Sequence, residues 1–157
     1  MRPFIPFLLV IGIWLIMTKS TGDATVARGI RNNNPLNIRE NENVDYEWIG
    51  EHEQDLDPQF EEFESPEYGI RAAARLLNTY RTKHGLNTIN GIISRWAPRS
   101  ENETDSYIAS VAQKVGIDAN EPLPLDQIPA LIKAMIYHEN GSQPYSDEII
   151  IKGVAMA

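Results

Sequence analysis

Glu139 is the residue whose setting most clearly suggests chemistry. It lies in Tyr137-His138-Glu139-Asn140-Gly141, at the end of an apolar stretch with helical period. A carboxylate there meets the negative end of a helix dipole and partial burial, and both disfavour ionisation. A carboxyl kept protonated near neutral pH is what a general acid for glycosidic cleavage needs. No partner carboxylate follows from the spacing, and an exposed glutamate at a helix end would produce the same pattern. The second set is Asn32, Asn33, Asn34 and Asn37. Their amides suit the hydroxyl and N-acetyl groups of a sugar polymer, although turn formation is the commoner reason for such a run. Trp48, Trp96 and Tyr107 offer flat faces to sugar rings, or simply to a core.

Composition narrows the alternatives. The chain has 157 residues, enough for one domain with a real core, and 42% of them are apolar. There is no Cys, which removes thiol chemistry, disulfides and thiolate metal sites. His52, His84 and His138 stand far apart without ligand spacing, so no metal and no cofactor is expected. No nucleophile-elbow pattern occurs, which argues against acyl transfer. The formal net charge is -8, and residues 40–67 hold 12 Asp or Glu with no Lys or Arg. Such a surface repels phosphate backbones, so no nucleic-acid partner is expected. The acidic run itself reads as a solvated, partly irregular face.

The elements that must position these residues follow from pattern. Residues 4–17 (FIPFLLVIGIWLIM) carry no charge, which sets residues 1–19 apart as a membrane anchor or signal segment. As a helix this run spans roughly 21 Å, short of the roughly 30 Å hydrocarbon core. Residues 20–27 form a small, polar tether, and residues 28–157 form the domain. Weak strands are expected at 36–39 and 46–49, joined by an acidic turn at 40–45. From Ser65 the chain turns helical: Ser65-Pro66-Glu67 is a start signal and Gly85 a stop. Further helices are expected from about Thr88 to Trp96, from after Asn102 to Gly116, and from near Asp126 to Glu139-Asn140-Gly141. A last short one follows Ser146-Asp147. The expected class is α+β and mostly α-helical, with a small β-hairpin region and one N-terminal membrane helix.

Residues 103–111 (ETDSYIASV) resemble the E-T-x-x-Y-V-x-x-V signature of lytic transglycosylases, in register. Asn34-Pro35-Leu36-Asn37-Ile38 is similar to the G-L-M-Q-I segment that lines that family's sugar groove. Residues 28–38 (RGIRNNNPLNI) and 65–73 (SPEYGIRAA) also resemble a group of phage virion proteins that are structural or peptidoglycan-degrading, a likeness covering nearly all of residues 27–157. In the transglycosylase family the catalytic Glu-Ser precedes G-L-M-Q-I by some twenty residues, where this chain has its tether. Residues 130–146 (ALIKAMIYHENGSQPYS) are instead similar to the family's apolar helix followed by E-S-G-x-x-P-x-x-x-S. A circular permutation of a lysozyme-like domain accounts for both observations and puts Glu139 at the acid/base position. Without the permutation, Glu40 or Glu47 beside the Asn loop becomes the candidate, or activity is lost.

The resemblance implies cleavage between N-acetylmuramic acid and N-acetylglucosamine, with Glu139 as acid and base and an anhydro-sugar product. It further implies glycan contacts from Asn33, Asn37, Trp96 and Tyr107. Expected partners are peptidoglycan strands, a lipid membrane through the N-terminal segment, and other virion proteins. The expected place is a phage particle's internal membrane, or a host membrane with the domain facing the periplasm. A non-catalytic virion component and a signal-anchored lysis enzyme are the alternatives.

Overall fold

The computed structural model describes residues 26–41, 46–54 and 56–157. Six helices build it: α1 (Arg28–Arg31), α2 (Pro66–His84), α3 (Ile89–Trp96), α4 (Thr104–Val115), α5 (Ile128–Asn140) and α6 (Asp147–Ala155). A single 3₁₀ turn, Leu125–Gln127, leads into α5. The helix signals act as expected. Pro66 opens α2, where its missing N–H would have had no partner, and Gly85 at φ 66° closes it. The Thr88 hydroxyl accepts from the Gly91 N–H and starts α3; Ser146 does the same for α6 through Ile149.

Helix α5 runs through the middle of the molecule and meets α1, α2, α4 and α6. Its Leu131, Ile132, Met135 and Ile136 are wholly buried. Ile70 from α2, Ile89 and Ile93 from α3, and Val111 from α4 close around them. Burying a side chain of this kind contributes roughly 1.5–3 kcal/mol, so this cluster dominates the stability. Helices α2 and α6 touch where Gly153 lies against Ile70; a Cβ at Gly153 would meet Ile70 Cγ2 at 2.6 Å.

The expected α+β architecture is corrected on two points. No strand forms among the described residues; there are three isolated bridges, Arg39 with Phe60, Glu51 with Phe63, and Thr88 with Pro122. The expected strands at 36–39 and 46–49 do not pair with each other: residues 38–40 and 50–52 each make only a bridge's worth of backbone hydrogen bonds, to residues 59–64, and side chains supply the rest. Asn34 Nδ2 donates to the Ile38 and Glu61 carbonyls while its Oδ1 accepts from the Ile38 N–H. Glu51 accepts from the Trp48 N–H, and Glu62 accepts from Leu56 and Asp57. Backbone groups satisfied in this way hold an irregular loop, not a hairpin. On the second point, no helix among the described residues is long and apolar enough to cross a membrane. The segment expected to do so, residues 1–19, lies outside the described residues, as does most of the tether.

The acidic run is also not wholly a solvated face. Asp57 and Glu61 are 7% and 3% exposed. Arg28 holds both Asp57 carboxylate oxygens through one guanidinium edge, Nε and Nη2, and Asn32 adds a hydrogen bond of 2.7 Å. The Arg28 bond above all, with help from Asn32 and the Gln59 N–H, keeps the Asp57 carboxyl far below the usual carboxylate range. The acidic loop is thereby pinned to α1.

Candidate active site

Glu139 sits in the last turn of α5, which stops at Gly141 in the left-handed conformation (φ 69°). Two side chains from distant parts of the chain meet its carboxylate. The Tyr107 hydroxyl, from α4, donates to Oε1 at 2.9 Å. The Asn37 amide, from the loop after α1, donates to Oε2 at 3.1 Å. Three of the five residues expected at the site therefore touch one another.

Each of the three is held from behind. The Tyr107 ring is 3% exposed and stacks on the His138 imidazole, with centroids 3.8 Å apart and planes 12° from parallel. Burial, and then the neighbouring Glu139 carboxylate, raises the Tyr107 hydroxyl well above its ordinary value. It stays a donor to Glu139 at any working pH. Burial pushes the His138 imidazole below its usual value against the opposing pull of Glu139. Asn37 adopts φ 51°, a left-handed backbone that asparagine tolerates better than most residues. Asn140 ties the end of α5 to the same loop, donating to the Pro35 carbonyl at 2.7 Å. Gly29 of α1 closes the back of this arrangement. A Cβ there would lie 2.6 Å from Asn37 Oδ1 and 2.8 Å from Asn140 Oδ1.

A groove of about 610 Å³ opens beside Asn37. Trp96, Tyr80 and Leu76 form part of one wall, and Trp48 and Tyr46 part of the other. Trp96 is half-buried, edge-on to Tyr80 at 6.3 Å; Tyr46 and Trp48 stack at 5.7 Å. Asn37 is thus shared: its residue lines the groove and its amide reaches Glu139.

The remaining expected residues fall differently. Tyr107 is buried under Glu139 and offers no free face to a sugar. Asn33, also left-handed at φ 51°, donates to the Phe63 carbonyl at 2.9 Å and braces the loop. Trp96 lines the groove as expected. Of the two fallback residues, Glu47 is exposed, and Glu40 lies close enough to Glu61 to raise its pKa.

Glu61 is the residue the sequence reading passed over. It lines the groove, accepts from the Trp48 indole N–H at 3.0 Å through Oε1, and keeps its other oxygen, Oε2, buried on the side where Glu40 and Glu51 lie close. Burial pushes its carboxyl up to about 8, with Glu40 and Glu51 adding to the shift and the Trp48 bond opposing it. It is therefore mostly uncharged at neutral pH. The only signal in the sequence was its place between Phe60 and Phe63, which the surrounding acids obscured.

A small helical protein with a glutamate gripped by a residue that lines an aromatic groove is a class that many unrelated families share. No family model matches the chain. It is 58% identical over 127 residues to Protein P5 of Pseudoalteromonas phage PM2, a match spanning 81% of this chain and 79% of that protein. The chain belongs to the family of that phage protein, and it is phage-associated.

Proposed function

We propose that this protein is a peptidoglycan-cleaving enzyme of the lytic transglycosylase type, carried by a phage particle to open the host wall during genome delivery. The observation that supports it is the Glu139 carboxyl, fixed by Tyr107 and Asn37 next to a groove walled by Trp48, Tyr80 and Trp96. A glycan strand lying in that groove brings a glycosidic oxygen to Asn37 and hence to Glu139. Protonated Glu139 gives its proton to that oxygen and the bond to the leaving sugar breaks. The charge that develops on the muramoyl ring is met by groove dipoles, since no second carboxylate touches Glu139 among the described residues. Glu139 then takes the proton of the muramoyl 6-hydroxyl as that oxygen closes on the anomeric carbon. Tyr107 is a positioning residue in this scheme, setting the orientation of the carboxyl, while Asn37 both holds Oε2 and meets the sugar in the groove.

Purified residues 26–157 should clear peptidoglycan in a gel overlay and release fragments ending in 1,6-anhydro sugar. Reducing ends in their place would mean that water is the nucleophile, and no clearing would sink the enzymatic reading. Tyr107→Phe removes the donor to Oε1 while keeping the ring on His138. We expect it to slow clearing about tenfold to a hundredfold with KM nearly unchanged, and to shift stability by only about 1 kcal/mol. A larger rise in KM than fall in kcat would contradict the positioning role.

A second reading is favoured by one observation: both Glu139 oxygens are already engaged inside the protein. In that reading the carboxylate is a structural pin between α5 and the Asn loop, and the protein is a non-catalytic virion component. Absence of clearing with intact folding would select it.

A further inference from the structure

The chain is acidic, yet the groove beside Asn37 is not. Arg39, Arg75 and Lys83 line it, and Glu61 is the only carboxylate-bearing residue among its described lining. Arg75, Thr79 and Lys83 follow one another at i, i+4 and i+8 along α2, so they form a stripe on one wall. Eight residues of helix carry that stripe about 12 Å, on the scale of one disaccharide of an extended strand. Arg75 and Lys83 are exposed and enter none of the ion pairs among the described residues. Without an ion-pair partner among the described residues, these cations give one wall of an aromatic groove a positive face in a protein of net charge -8.

We propose that the groove binds a glycan whose sugars carry carboxylates, with Arg75 and Lys83 pairing to successive acids along the strand and the Trp48 and Trp96 walls covering the rings. This rests on the peptidoglycan reading and names its substrate more narrowly: strands whose lactyl carboxyls are free of stem peptide and so ionised, in preference to neutral amino-sugar chains. Glu61 completes the selectivity. While uncharged it leaves the groove's positive potential intact; once ionised it sets a negative charge against the ligand. Its pKa of about 8, raised chiefly by burial, places that change in an accessible range. The charged or titratable groups around it are Glu40 and Glu51 close by, with Arg39, Arg75 and Lys83 lining the same groove. Tyr80, held above its ordinary value by burial, stays neutral through that range.

Binding is measured calorimetrically with the Glu139→Gln chain, in which turnover of the strand should be at least about a hundredfold slower. The two probes are tetra-N-acetylchitotetraose and a tetrasaccharide of alternating N-acetylglucosamine and N-acetylmuramic acid. At low salt and pH 6.5 (an arbitrary point roughly 1.5 units below the Glu61 transition), the acidic tetrasaccharide should bind about tenfold tighter than the neutral one. Adding Arg75→Gln and Lys83→Gln should level the two, and these exposed positions leave folding intact. The preference should shrink as pH rises past about 8, and Glu61→Gln should hold it constant across that range. Equal affinity for both probes, binding of neither, or an unchanged preference in the Arg75/Lys83 double variant would overturn the proposal. Clearing of walls without the preference defeats this inference alone; the preference without clearing defeats only the enzymatic reading.

Discussion

Glu139→Gln should lower the rate of peptidoglycan clearing by about 10²–10⁴-fold, the usual contribution of a general acid. The substitution is nearly isosteric. Its carbonyl oxygen can still accept from the Tyr107 hydroxyl, which now donates at 2.9 Å. The lost property is the ability to give and take a proton, which the amide that replaces the carboxyl does not have. Binding of the strand should change little, because the groove walls are untouched; the loss belongs in kcat. A variant that clears walls as fast as its parent would remove Glu139 from the mechanism. Glu61 would then be the next acid to test, since it lines the groove and burial keeps its carboxyl mostly uncharged at neutral pH.

Asn34→Ala should cost about 3–5 kcal/mol of folding stability, read from the shift in urea midpoint. Asn34 is 0% exposed and its amide makes three hydrogen bonds: to the Ile38 carbonyl, to the Glu61 carbonyl and from the Ile38 N–H. Each net bond contributes about 1–1.5 kcal/mol, and each buried group left without a partner adds a further penalty. The three bonds also fix the loop that carries Asn37 and the backbone of Glu61, so clearing should fall with stability. A shift under about 1 kcal/mol would mean that the loop is held by α1 and Asp57 and not by Asn34.

Most of the helical scaffold was legible because its signals are local. Ser65-Pro66, Thr88, Ser146 and the glycines at 85, 116 and 141 mark helix ends in the structure where the sequence suggests them. Residues 32–63 were not legible, for an equally physical reason. Alternating short apolar stretches between turn formers look like strands, but here Asn34, Glu51 and Glu62 side chains satisfy the backbone, and that depends on tertiary placement. The four-residue α1 is too short to show a period. In the candidate site, the helix-end setting singles out Glu139 and the turn-rich loop Asn37, and the structure brings these two side chains together. Tyr107 was expected on the glycan and lies instead beneath the acid, a distinction that turns on burial. Glu61 was hidden because a buried glutamate and an exposed one are the same letter, and eleven other acids surround it between residues 40 and 67.

The hydrogen bond from Asn37 to Glu139 joins residues 102 positions apart, and that from Asn140 to Pro35 joins residues 105 apart. Neither can exist on a chain still being made until α5 has left the ribosome, since loop closure over such a span must come late. A chain under synthesis therefore carries the Asn loop long before it carries the acid, and the two can meet only once α5 has emerged, a delay written into the order of the residues.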